Sequence, residues 1–216
     1  MNAPTDLKWA AKFPDLGTGP IPVEPCISPE FYEEERKKVF LKSWLKVGRV
    51  EEIAKPGDYK VKKLAFAKTS VILMRGKDGQ IRGFHNTCSH RGNKVIVETG
   101  EETFGRNKAA VVTCRFHGWV YNLDGTLRGA ARPRSFPDLD KTEFGLKPLD
   151  LEIWMGFIFI RFAPGLPSVK EMMSPYAEEL EQFELEKLIP NGRVTRRPRP
   201  VNWKNVGDNY SDGMHI

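Results

Sequence analysis

The sequence predicts an α+β protein organised around antiparallel β-sheet, on three observations. Short apolar runs separated by Gly, Pro and Asp turn clusters fill residues 44–163. A helix-start signal, Ser28-Pro29-Glu30, precedes them. An amphipathic stretch from Ser168 to Phe183, acidic along Glu178, Glu179, Glu181 and Glu184, follows them.

Taken in order, the first 27 residues are rich in Pro and Gly and read as an extended arm, with Cys26 an idle thiol. Ser28 suits an N-cap, Pro29 the first helical position, and Glu33 to Glu35 the opening turns. That helix is expected to reach Leu41 and to bury Phe31, Val39 and Phe40. Strands then alternate with turns at Lys55-Pro56-Gly57-Asp58 and Arg75-Gly76-Lys77-Asp78-Gly79, the second joining Val71–Met74 to Ile81–Phe84 as a hairpin. Val111–Thr113 leads into Cys114, and Trp119–Asn122 and Leu127–Arg128 flank an Asp-Gly turn at Asp124-Gly125. Leu149–Met155 and Phe157–Phe162 close the β-rich region, broken at Gly156. Residues 192–201 read as extended, and from Asn202 the chain turns helical.

Composition narrows the function classes. A chain of 216 residues holds one good-sized core or two small ones, and 40% hydrophobic with 29% charged residues is ordinary globular composition. The longest apolar stretch, Ile153–Phe162, is too short to span a bilayer and contains Arg161, so no membrane contact is expected. The N-terminus lacks the apolar core of a secretion signal, so a cytoplasmic location is expected. Three cysteines make no disulfide framework. The net charge of +6 is a mild excess. Its densest run, Arg193, Arg196, Arg197 and Arg199, reads as a solvated segment or a docking surface for an acidic protein. Without interleaved aromatics it does not suggest nucleic acid.

The chemistry concentrates in Cys88-Ser89-His90-Arg91-Gly92 and Cys114-Arg115-Phe116-His117-Gly118-Trp119. Each segment offers one thiolate and one imidazole on a loop leaving a strand. Two sulfurs and two nitrogens suit a [2Fe–2S] cluster with two histidines on one iron. They could also form a tetrahedral zinc site, although structural zinc sites usually open with Cys-x-x-Cys spacing. Gly92 and Gly118 supply open backbone for aiming amides at sulfur, and Trp119 can shield the site from water. His85, three residues before Cys88, reads as a surface or supporting histidine.

The pair Cys-x-His-Arg-Gly and Cys-x-x-His-Gly-Trp resembles the Rieske domain of the large (α) subunits of Rieske non-heme iron oxygenases. Asn86, Tyr121-Asn122 and Asp124-Gly125 fit the same pattern. The resemblance makes Cys88, His90, Cys114 and His117 the ligands of a Rieske [2Fe–2S] cluster. One departure is the gap of residues 91–113 between the halves, longer than is usual for the family. Its excess, the polar segment Glu98–Lys108, is expected to form an enlarged surface hairpin.

Asn202-Trp203-Lys204, Asp208-Asn209-Tyr210, Asp212 and His215 resemble the family's catalytic-domain motif. By that resemblance His215 matches the first histidine of a 2-His-1-carboxylate site for mononuclear Fe(II). Asp212 matches the acid bridging toward a Rieske histidine of the neighbouring subunit, and Asp208 and Asn209 match the supporting shell. The second histidine and the carboxylate would lie beyond Ile216.

The implied organisation is an N-terminal arm and helix packing on the catalytic domain (1–43), a Rieske domain (44–163) and the incomplete start of a helix-grip catalytic domain (164–216). The implied partners are a ferredoxin or flavin reductase as electron donor, other copies of the chain in a homotrimer or α3β3 assembly, O2 and a small-molecule substrate. An aromatic ring is expected first as substrate. A quaternary amine is the alternative, and a stand-alone Rieske electron carrier is a reading from another class.

Overall fold

The computed structural model describes residues 15, 20, 22–189 and 198–211. The chain divides into two compact units, Met1–Glu33 with Arg197–Ile216, and Glu34–Arg196. In the second, ten strands form two antiparallel sheets. These are β1 (Leu45–Arg49), β2 (Asp58–Leu64), β3 (Thr69–Arg75), β4 (Ile81–His85), β5 (Glu102–Arg106), β6 (Val111–Thr113), β7 (Val120–Asn122), β8 (Leu127–Gly129), β9 (Pro148–Trp154) and β10 (Phe157–Arg161). The larger sheet runs β1-β10-β9-β4-β3-β2-β5 and the smaller β6-β7-β8.

Strand β3 explains why there are two cores. Its residues Ser70 to Met74 are all buried. Side chains alternate across a strand, so Val71 and Leu73 point into one core and Ile72 and Met74 into the other. The first core, with Val47, Ile53, Ile158 and Ile160, fills one face of the large sheet. The second lies where the small sheet meets the large one, and it contains Cys88, Cys114, Trp119 and Tyr121. The two cysteines expected to be metal ligands are therefore core residues. Both expected hairpins form, β3 with β4 and β7 with β8, and β9 with β10 turns through Met155 and Gly156, both at positive φ.

Four expectations change. Residues 98–108 form no hairpin of their own: β5 pairs antiparallel with β2 and becomes an edge of the large sheet. A Cβ at Gly105 would strike the Tyr59 ring and hydroxyl, so glycine lets β5 close over that ring. The first long helix is α only over Pro29–Glu35 and continues as a π turn over Arg36–Phe40. The Ser28 hydroxyl does cap it, accepting from Phe31 N–H at 3.1 Å. Phe31 and Val39 stay exposed, and Glu35 is its buried residue. The stretch 168–183 is two short helices, Val169–Met173 and Ala177–Glu181, separated by a 3-10 turn at Ser174–Tyr176, where Pro175 supplies no N–H. Ser168 and Glu171 form a reciprocal capping box at its start, and Val169 N–H donates to Glu152 of β9.

The compact unit extends past 44–163 because both flanks fasten to it. Trp44 Nε1–H donates to Pro167 O at 2.8 Å, and Arg49 donates to the carbonyls of Leu185 and Leu188. The other unit contains helix Trp203–Ser211 and residues 22–33. Asn202 opens that helix by accepting from Lys204 N–H, and its amide donates to Cys26 O at 3.0 Å.

Candidate metal centre

The first loop leaves β4 and the second leaves β6, and their backbones are bonded alike. Cys88 N–H donates to Asn93 O and Gly92 N–H to Cys88 O. Cys114 N–H donates to Trp119 O and Gly118 N–H to Cys114 O. In both loops the glycine four residues after the cysteine takes a positive φ, +73° at Gly92 and +68° at Gly118. The histidine stands two residues after the cysteine in one loop and three in the other, within the same backbone ring.

The loops bring the four side chains together in pairs. Cys88 and Cys114 are both buried in the same core, and the Cys114 thiol adds to burial in pushing the Cys88 thiol up. The His90 and His117 rings lie 4.8 Å apart. Among the described residues no three His, Cys, Asp or Glu side chains are grouped to hold one metal ion. A sulfur pair beside an imidazole pair is instead the division that a [2Fe–2S] cluster requires, two thiolates on one iron and two histidines on the other. His90 Nδ1 is buried with no hydrogen-bond partner, as befits a nitrogen kept for a metal. The donor set therefore fits the cluster better than a single tetrahedral zinc.

The surroundings tune these groups. Burial pushes the Cys88 thiol up, while the Tyr121 hydroxyl and the His90 backbone N–H act in the opposite direction. Burial, then the neighbouring His117 and Arg91, hold the His90 imidazole below its ordinary value. Tyr121 Oη lies 3.0 Å from Cys88 Sγ and accepts from Ser89 N–H at 3.1 Å. With Cys88 as a thiolate ligand, which can only accept, the phenol proton would point to the sulfur. Burial and the sulfur together push the Tyr121 hydroxyl far up. Trp119 is buried and stacks on His90 at 4.8 Å and 11°, with Phe136 edge-on to both rings. An open cavity borders His90, His117, Trp119 and Phe136.

Asn86 anchors the first loop from within the core. Its oxygen accepts from Val95 and Ile96 N–H, and its amide donates to Ser70 Oγ and Ile96 O. Across the turn, Gly125 takes φ +89°, and a Cβ there would also strike Phe84, so two separate features call for glycine. His85 stays on β4, its ring tilted against that of Phe162 with centroids 5.5 Å apart. The sequence signalled Tyr121 only as a pattern match. Its contact with Cys88 spans 33 residues and required the fold.

Of the second set, Asp208 and Asn209 lie exposed on helix Trp203–Ser211, while Asp212 and His215 lie outside the described residues. So do Arg193, Arg196 and Arg197; Arg199 is exposed. Among the described residues no helix is long and apolar enough to cross a membrane.

Residues 43–143 match the family model of the Rieske [2Fe-2S] domain. The chain contains a Rieske domain. It is homologous to Rieske oxygenase subunits. The carnitine monooxygenase oxygenase subunit of Escherichia coli is 35% identical over 186 residues, 85% of this chain and 47% of that one. A quaternary ammonium Rieske monooxygenase, solved with L-carnitine, superposes with a TM-score of 0.77 at 32% identity, covering 89% of this chain and 53% of that one. Naphthalene 1,2-dioxygenase with bound indole reaches 0.64 at 29% identity over 72% of this chain and 34% of its own. The chain spans about half the length of the curated relatives it matches.

Proposed function

We propose that this Rieske domain, with Cys88, Cys114, His90 and His117 as its cluster ligands, is the electron inlet of an oxygenase acting on a quaternary amine. The observation that carries the oxygenase reading is the extent of the likeness. It covers 85% of the chain, more than residues 43–143 alone, and so includes residues an electron carrier would not need. The relatives support the quaternary-amine reading: the carnitine enzymes match more of the chain than the naphthalene enzyme does. The aromatic ring expected first from sequence gives way to the quaternary amine.

The bound cluster would supply one-electron storage, at a potential raised by neutral imidazole in place of thiolate. This chain's residues would hold it with its sulfur side in the core, direct a phenol proton at one sulfur and leave the His117 side open to a partner. The donor would be a separate ferredoxin or flavin reductase. His215 would help hold a mononuclear Fe(II), with Asp212 as the bridge between subunits and Asp208 and Asn209 supporting it. Oxygen activation is the chemistry that iron supplies.

The test uses the full-length protein with a reductase. Three irons per chain, a rhombic Rieske EPR signal and NADH oxidation stimulated by carnitine or glycine betaine but not by arenes are expected. Two irons and no oxygenation would reduce the protein to an electron carrier, and stimulation by arenes alone would restore the aromatic substrate.

A further inference from the structure

The two ligand loops are closed by residues that play matching parts. Asn93 O accepts from Cys88 N–H as Trp119 O accepts from Cys114 N–H. Asn93 therefore holds in the first loop the place that Trp119 holds in the second. Each of these closing side chains crosses to the other loop. Trp119 stacks on His90 of the first loop at 4.8 Å. Asn93 Nδ2 lies 3.9 Å from Cys114 Sγ of the second.

The Asn93 amide is aimed rather than merely near. Its nitrogen also donates to Lys94 O at 2.9 Å, which fixes which end of the amide is the donor and uses one of its two protons. The second proton is left facing the sulfur. Sulfur is larger than oxygen and accepts at longer range, and a thiolate accepts more strongly than a neutral group. Cys114 is 1% exposed, so water does not compete for its sulfur. Asn93 itself is exposed, and its backbone carbonyl, not its side chain, closes the loop.

We infer that Asn93 helps set the reduction potential of the site by directing an amide proton at the Cys114 sulfur. The inference rests on the reading of Cys88 and Cys114 as cluster ligands. On that reading each thiolate receives one side-chain donor from this chain, Tyr121 for Cys88 and Asn93 for Cys114. Hydrogen bonds to sulfur favour the reduced state, which carries the extra electron and more charge on sulfur. No proton is transferred.

The experiment is spectroelectrochemical titration of the full-length protein carrying its cluster. Asn93→Leu keeps the approximate volume and removes the donor, and Asn93→Ala removes it by another route. Both leave the backbone carbonyl that closes the loop. Each is expected to lower the equilibrium constant for reduction about threefold, or about 28 mV at about 59 mV per tenfold. Combined with Tyr121→Phe, the shift of Asn93→Leu should add to that of the phenol, because the two donors serve different sulfurs. Iron content and the EPR line shape report whether the cluster is intact in each variant. An unchanged or raised potential in both variants with an intact spectrum overturns the inference. Loss of iron from both would make Asn93 a structural part of the loop and overturn it as well. A wild-type protein without a Rieske EPR signal would instead overturn the ligand assignment beneath it.

Discussion

Replacing Tyr121 with Phe removes one hydroxyl from the core and leaves the ring in place. The hydroxyl sits 3.0 Å from Cys88 Sγ and is aligned by Ser89 N–H. A hydrogen bond to a charged acceptor contributes about 1.5–3 kcal/mol. Both oxidation states of the cluster would receive it, and the reduced one, with more charge on sulfur, receives more. Taking the difference as about 1 kcal/mol, and a tenfold change per 59 mV for one electron, the potential should fall by about 40 mV. Spectroelectrochemical titration of wild type and Tyr121→Phe measures this directly, and the EPR line shape reports that the ligands are unchanged. An equal or higher potential in a variant with intact cluster spectrum would refute the assignment of the phenol proton to sulfur.

Other perturbations test the frame around the site. Gly118→Ala forces a side chain into φ +68° and places its Cβ 2.7 Å from that of Ala131. It should cost about 2 kcal/mol and lower iron content per chain, so full iron with an unchanged Tm would count against the loop geometry. Lys60, 3% exposed, holds Glu52 at 2.9 Å and Glu102 at 3.3 Å. Lys60→Met leaves both carboxylates without it and should lose about 2 kcal/mol in urea unfolding, whereas a gain in stability would contradict the pairing. Burial, then Lys147, hold His85 below its ordinary value. The folded chain thus binds fewer protons there than the unfolded one, and stability should fall as pH drops below about 6.5. His85→Gln should flatten that part of the stability profile, and identical profiles would rule the histidine out.

Much of the fold could be read locally. The continuous apolar run of β3 and the turn residues on either side of it announce a strand buried on both faces. The ligand loops were legible because each donor pair sits within four residues of a glycine. Strand β5 was not, since its polar residues look like a surface loop. Its order comes from β2, from Lys62 opposite Glu102 to Asp58 opposite Arg106, residues far apart in sequence. The break at Ser174–Tyr176 could have been read from Pro175, but the acidic periodicity on either side masked it. Tyr121 showed its place in a pattern, while its work on Cys88 depends on two loops from different sheets meeting.

The cover that Trp119 lays over His90 makes the two imidazoles unequal. His90 is half-buried against Trp119 and Phe136, whereas His117 and the adjoining Phe116 ring are exposed. A molecule docking on this face would therefore touch His117 and Phe116 first, and the aromatic cover would set which of the two imidazoles lies on its path to the core.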